Sequence, residues 1–337
     1  MDADLRYARV IRMVAETPWA IQPETLAVIV DVLRFRAGGD RLTREEIQAR
    51  LPAETKARGV GMSVVGGEIL AADGKPAGRK GAVAVIPIHG VIAARASSFE
   101  DTSSSGAGLD RFTERLRSAL SDPAVGSIVL DIDSPGGSVY GVAEAAAEVL
   151  SAREQKKIVA VANHLAASAA YWIGASASEF VVAPSGVVGS IGVFSAHQDL
   201  SARMELLGVK TTLISAGKYK TEGNPFAALS DEARGAMQAT VDSYYGMFVD
   251  GVAKGRGVKA KDVRSGFGEG RVVTADQAVK EGMADKVATL EATIDRMLGR
   301  KPGAGPMKAE EAPAPVARDA VAPSLALRRR RLALFAN

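Results

Sequence analysis

Two serines and two lysines are the side chains in this sequence best placed for covalent chemistry. Ser168 lies in Ala166-Ala167-Ser168-Ala169-Ala170-Tyr171, where small neighbours give a substrate close access to its hydroxyl. Such a hydroxyl becomes a nucleophile only when a base takes its proton. Lys218 and Lys220 stand in Ser215-Ala216-Gly217-Lys218-Tyr219-Lys220, just after the strand pattern 211–214. A lysine at the carboxyl end of a parallel strand points to the ligand side of an α/β sheet, and burial lowers its pKa toward general-base range. Spacing alone does not choose between the two. Ser190, in Gly189-Ser190-Ile191-Gly192-Val193, is placed to orient such an amine. The plainer roles are a helix cap for Ser168 and a glycine-flanked turn for Ser190.

Backbone amides supply the second half of the chemistry. Asp133-Ser134-Pro135-Gly136-Gly137 follows a buried apolar run and precedes a helical pattern. Adjacent glycines let the backbone approach a ligand, and N–H groups at a helix start favour negative charge, as an oxyanion requires. The Ala169 N–H falls next to the Ser168 hydroxyl. Neither GxxxxGK[ST] nor GxGxxG occurs here, so nothing favours a phosphate cradle. An ordinary strand–helix turn is the plain alternative.

The rest of the inventory is defined by what it lacks. The 337 residues contain no cysteine, which excludes disulfides, thiolate nucleophiles and Cys-ligated metals. Only His89, His164 and His197 are present, too few for a His-rich metal centre. His197 with Asp199 could complete a Ser–His–Asp triad, but each histidine reads better as structural or superficial. Aromatic residues make up 5%, which argues against stacking platforms for single strands.

Positioning these groups requires alternating strands and helices. Residues 1–52 have helical spacing, with Pro23-Glu24-Thr25 opening a second helix, and 53–80 read as a Gly/Ala/Lys-rich linker with a short strand at 63–65. The body, 81–300, shows strand patterns at 83–88, 128–132, 158–162, 180–183, 187–193, 210–215 and 286–288. Between them lie helical patterns at 109–120, 139–152, 168–177, 230–254 and 275–281. This alternation predicts an α/β fold with mostly parallel strands. Residues 301–337 are Ala/Pro-rich and carry seven Lys/Arg against three acids, so much of the formal +3 charge sits in the tail. The tail is expected to be mostly disordered, and its Arg328–Arg331 run reads first as a solvated cluster, with nucleic-acid contact the less favoured alternative. No signal peptide or membrane anchor is evident, which predicts a cytoplasmic protein.

Taken together, IDSPGGSVYG, AASAAYWIG, VVGSIGV, ISAGKYKTEGNPF and GRVVTADQAVKEGMAD resemble the signal peptide peptidase A family of serine proteases. The similarity spans about residues 82–290 and is nearest to the soluble bacteriophage head-maturation (capsid) protease branch, which the opening PWAIQPETL also resembles. The resemblance implies a Clp protease/crotonase-like spiral of ββα units and a Ser–Lys dyad. Matched motif by motif, Ser168 is the nucleophile, Lys220 the base, Ser190 the residue holding that lysine, and Gly136, Gly137 and Ala169 the oxyanion hole. It further implies an endopeptidase without metal or cofactor, assembled as a homo-oligomer and acting on phage capsid, scaffold or portal proteins in the host cytoplasm or a virion precursor. A soluble housekeeping peptidase and a catalytically silent assembly scaffold are the alternatives.

Overall fold

The computed structural model describes residues 18–26, 62–65, 68–70, 76–79, 81–95, 107–300 and 310–311. Its centre is a sheet whose core strands are near-continuous apolar runs, as burial on both faces demands. Ala82–His89, Val125–Ser134 and Lys157–Ala167 lie side by side and parallel. Along one edge of Lys157–Ala167, Val159–Ala162 pair with Glu179–Val182 and Leu165–Ala167 pair with Val187–Gly189, again parallel. Val272–Thr274 closes that end antiparallel, and Ser63–Val65 lies antiparallel to Ala82–His89.

The first two long strands each lead into a short strand of a second sheet and then a helix. Ala82–His89 is followed by Ile92–Ala93 and Leu109–Ser121; Val125–Ser134 is followed by Gly136–Ser138 and Val142–Ala152. The repeated ββα unit gives the mixed α/β, Clp/crotonase-like class expected. The helices cover one sheet face around Ile86, Ile88, Leu116, Ile128, Leu130 and Ile132, all essentially inaccessible to solvent. Leu290–Met297 covers part of the other face, where Leu290 packs with Val83, Val129 and Val161.

Three expectations need correction. Trp19–Ile21 is a strand, although 1–52 was expected to be helical: the second sheet offers an open edge at Gly136–Ser138, and this aromatic and β-branched segment fills it. Residues 210–215 form no strand and are exposed throughout, because none of the described strands lies beside them to pair their backbone. Within the expected linker, Glu68–Leu70 and Pro76–Arg79 form a small antiparallel pair. Of the tail, only Glu310–Glu311 is described, as a strand antiparallel to Ser63–Val64. The remaining tail residues, Arg328–Arg331 included, and the expected helix past Leu26 lie outside the described residues.

Candidate active site

Ser168 joins the strand Lys157–Ala167 to the helix Ala169–Ala175. It has φ 56° and ψ −120°, a conformation costly for any residue with a β-carbon. A strained serine on a strand-to-helix turn is the arrangement by which such a turn presents a nucleophile. The helix that follows is buried on every side, from Ala169 to Ala175, which holds the turn in place. Its Tyr171 hydroxyl donates to the Met283 carbonyl at 2.9 Å, and burial pushes that phenol well above its ordinary pKa. At the far end Arg153 Nη1 donates to the Ala177 and Gly255 carbonyls at 3.2 and 3.0 Å.

Ser190 is brought alongside. Ala167 and Gly189 are register partners, and the Ser168 N–H donates to the Gly189 carbonyl at 2.7 Å. Ser190 is itself buried at φ 54°, with its N–H donating to the Arg271 carbonyl at 2.8 Å.

Gly136 faces the same turn. A β-carbon on Gly136 would fall 3.0 Å from Ser168 Cβ, and its φ of 99° also favours glycine. A β-carbon on Gly137 would meet the Ile92 carbonyl at 1.9 Å, so both glycines are required by backbone approach. The Gly136 N–H donates to Ser134 Oγ at 3.1 Å. Ala169 opens its helix, and a first-turn N–H has no intrahelical acceptor. Ser168, Ser190, Gly136 and Ala169 therefore gather at one place.

Among the described residues neither Lys218 nor Lys220 is buried beside them. Ser168 Oγ is fully buried and has no hydrogen-bond partner among the described residues. Lys220 is exposed, on a segment from 192 to 230 in which no residue is buried. The expectation of a lysine buried among apolar groups is thus not met in the isolated chain. Lys218 donates to the Tyr219 hydroxyl at 2.7 Å and to Glu232 at 2.9 Å, contacts that raise its pKa. This segment also presents large apolar side chains to solvent, with Leu206 89% and Ile214 95% exposed.

The histidines serve elsewhere. His89 pairs with Asp131 at 3.1 Å, His164 with Asp133 at 3.3 Å, and His197 lies 3.0 Å from the Asn224 carbonyl. Asp199 accepts from the Ser201 N–H, so His197 and Asp199 form no triad with Ser168. Among the described residues no helix is long and apolar enough to cross a membrane, and no acidic or His cluster could hold a metal ion.

Sequence reasoning missed the seat beneath the helix that follows Ser168. Phe248 of the helix Asp231–Arg256 stacks on Trp172 with ring centroids 4.8 Å apart and planes 8° from parallel. Gly251 and Gly255 of the same helix lie against Trp172 and Ala175. The Gly251-x-x-x-Gly255 spacing, two glycines on one helical face, was the available signal.

Residues 151–301 match the model of Peptidase family S49. The chain is 34% identical over 205 residues to the capsid assembly protease C of Escherichia phage lambda, an alignment covering 61% of this chain and 46% of that protein. It is 33% identical over 215 residues to the head-tail preconnector protein GP5 of Enterobacteria phage P21, covering 64% and 42%. Protease 4 of Salmonella typhi is 31% identical over 220 residues, covering 65% and 34%. The alignments thus span less than half the length of each of these relatives.

Proposed function

Residues 151–301 match the model of Peptidase family S49, and from that match we propose that the chain is a serine endopeptidase acting through Ser168 and Lys220. The observation that carries the reading is Ser168 itself, a buried hydroxyl with no hydrogen-bond partner among the described residues, on a strained strand-to-helix turn facing Gly136. Neutral Lys220 takes the Ser168 proton as Oγ attacks a peptide carbonyl. The amides of Gly136, Gly137 and Ala169 stabilise the tetrahedral oxyanion, and the Gly136 N–H turns from Ser134 Oγ to do so. The ammonium then protonates the leaving amine, and water hydrolyses the acyl-enzyme. Ser190, tied to the Ser168 turn through Gly189, holds the amine in line.

The reading requires the segment carrying Lys220 to pack onto a Ser168 turn, its own or that of another copy. Its exposed apolar side chains, Leu206 and Ile214 above all, support packing against a second copy and hence an oligomer. The named phage relatives support capsid, scaffold or portal proteins as substrates during head maturation.

The test is cleavage of dye-labelled casein and of coexpressed capsid and scaffold proteins by the purified chain. Ser168→Ala and Lys220→Ala should each abolish cleavage; persistence in both variants overturns the dyad. If mixing the two inactive variants restores activity, Lys220 acts on a neighbouring copy.

A further inference from the structure

The strand edge beside Ser168 is occupied by the chain itself. Trp19–Ile21 lies antiparallel to Gly136–Ser138, with Ile21 opposite Gly136, Ala20 opposite Gly137 and Trp19 opposite Ser138. The pairing continues beyond the strand: the Gln22 N–H donates to the Pro135 carbonyl at 3.1 Å, and the Val139 N–H to the Pro18 carbonyl at 3.3 Å. On its other side Trp19 exchanges two backbone hydrogen bonds with Phe194, at 2.8 and 3.0 Å. The segment is thus held as an added strand between the Gly136-Gly137 turn and the stretch that follows Ser190. An extended peptide bound by β-addition is held in the same way, through main-chain hydrogen bonds on its edges.

Its placement over the nucleophile is close. The Ala20 carbonyl oxygen lies 2.2 Å, and Ser168 Cβ 3.0 Å, from the position a β-carbon on Gly136 would take. With the strand in place Ser168 is 1% exposed, and Gly136, Gly137 and Ser138 are all buried. A nucleophile so covered has no room for a substrate carbonyl. Trp19, fully buried with Ile21, Leu26 and Val91, anchors the segment.

We propose that residues 18–22 are an autoinhibitory strand seated in the substrate groove, which a substrate must displace to reach Ser168. The proposal rests on the peptidase reading above. Trp19 acts on the reaction only through this occupancy, so loosening it lowers KM and leaves kcat unchanged.

Because the chain has no cysteine, Trp19→Cys/Ser138→Cys introduces the only pair able to form a disulfide. In the full chain, oxidation of that pair should reduce casein cleavage at least about tenfold relative to the same protein after dithiothreitol. Wild type should not respond to the reductant. Equal rates in the oxidised and reduced forms overturn the proposal. Trp19→Ala should lower KM about tenfold at constant kcat, since the blocked fraction of the enzyme falls; a lower kcat at unchanged KM makes the strand merely structural and overturns it too. If wild type and both Trp19 variants cleave nothing in any state, the peptidase reading fails instead.

Discussion

The Ser168 N–H donates to the Gly189 carbonyl at 2.7 Å, which fastens two strained serine turns back to back, with φ 56° at Ser168 and 54° at Ser190. Both turns end parallel neighbours in one sheet, Lys157–Ala167 and Val187–Gly189. Neither can relax without breaking a ladder bond, so the sheet over-determines the position of Ser168.

That strain is measurable. A non-glycine residue in such a region costs about 1–3 kcal/mol, partly offset in a glycine variant by about 0.5–1 kcal/mol of unfolded-state entropy. Ser168→Gly should therefore be about 1 kcal/mol more stable than Ser168→Ala in urea unfolding, while both lose cleavage. Equal stability would mean that the turn is not strained.

The two lysines should separate activity from stability. Lys220 is exposed, so Lys220→Ala should change unfolding free energy by less than about 0.5 kcal/mol. Cleavage should nevertheless fall by about 10²–10⁴, the usual worth of a positioned base. Lys218→Ala removes only contacts to Tyr219 and Glu232 and should keep most activity. His197→Ala should also be nearly silent. If Lys218→Ala alone were inactive, the base would be Lys218.

The Ser168 turn and the central strands were legible because the signal is local: apolar runs of strand length ending in small residues and glycines. Ser190 was legible for the same reason, and strand pairing then placed it beside Ser168. Lys220 was singled out only by the family resemblance, because spacing left it level with Lys218, and in one chain it is exposed. Trp19–Ile21 was misread because strand identity there is decided by a distant edge, Gly136–Ser138, and not by periodicity. The seat formed by Phe248, Gly251 and Gly255 was missed because a helix-face glycine pair has meaning only once its partner helix is known.

Acid should weaken the joint behind the helix Ala169–Ala175. Arg256 makes a two-pronged contact to Asp285 at 2.7 and 2.8 Å, and Asp285 also accepts the Phe180 N–H at 2.7 Å. Burial alone would raise the Asp285 pKa, but its bonds to Arg256 and Phe180 outweigh this and hold it below the ordinary value. A carboxylate depressed in the folded state contributes stability above its unfolded pKa, about 3.9, and loses it as pH falls through the folded value. Asp285→Asn should destabilise the protein at pH 7, and the difference from wild type should shrink below about pH 4. Urea midpoints across pH 3–7 would check this; a pH-independent difference would show that packing, not charge, accounts for the effect.

Glycines of one helix should respond in opposite directions to alanine. In Asp231–Arg256, a β-carbon on Gly246 meets nothing within 4 Å, so Gly246→Ala should stabilise by about 1 kcal/mol through helix propensity alone. A β-carbon on Gly251 would lie 2.1 Å from Trp172 Nε1. That ring cannot step aside easily, because Phe248 stacks on it at 4.8 Å and the helix around it is buried. Overpacking of this kind costs about 1–3 kcal/mol and outweighs the propensity gain. Trp172 belongs to the helix that begins after Ser168, and its backbone N–H donates to the Ser168 carbonyl at 3.0 Å. The displacement should therefore reach the nucleophile, with Gly251→Ala lowering both the melting temperature and kcat while Gly246→Ala raises the first and spares the second. Parallel melting curves and casein assays on the two variants would decide it, and a Gly251→Ala protein with wild-type kcat would show that the seat does not position Ser168.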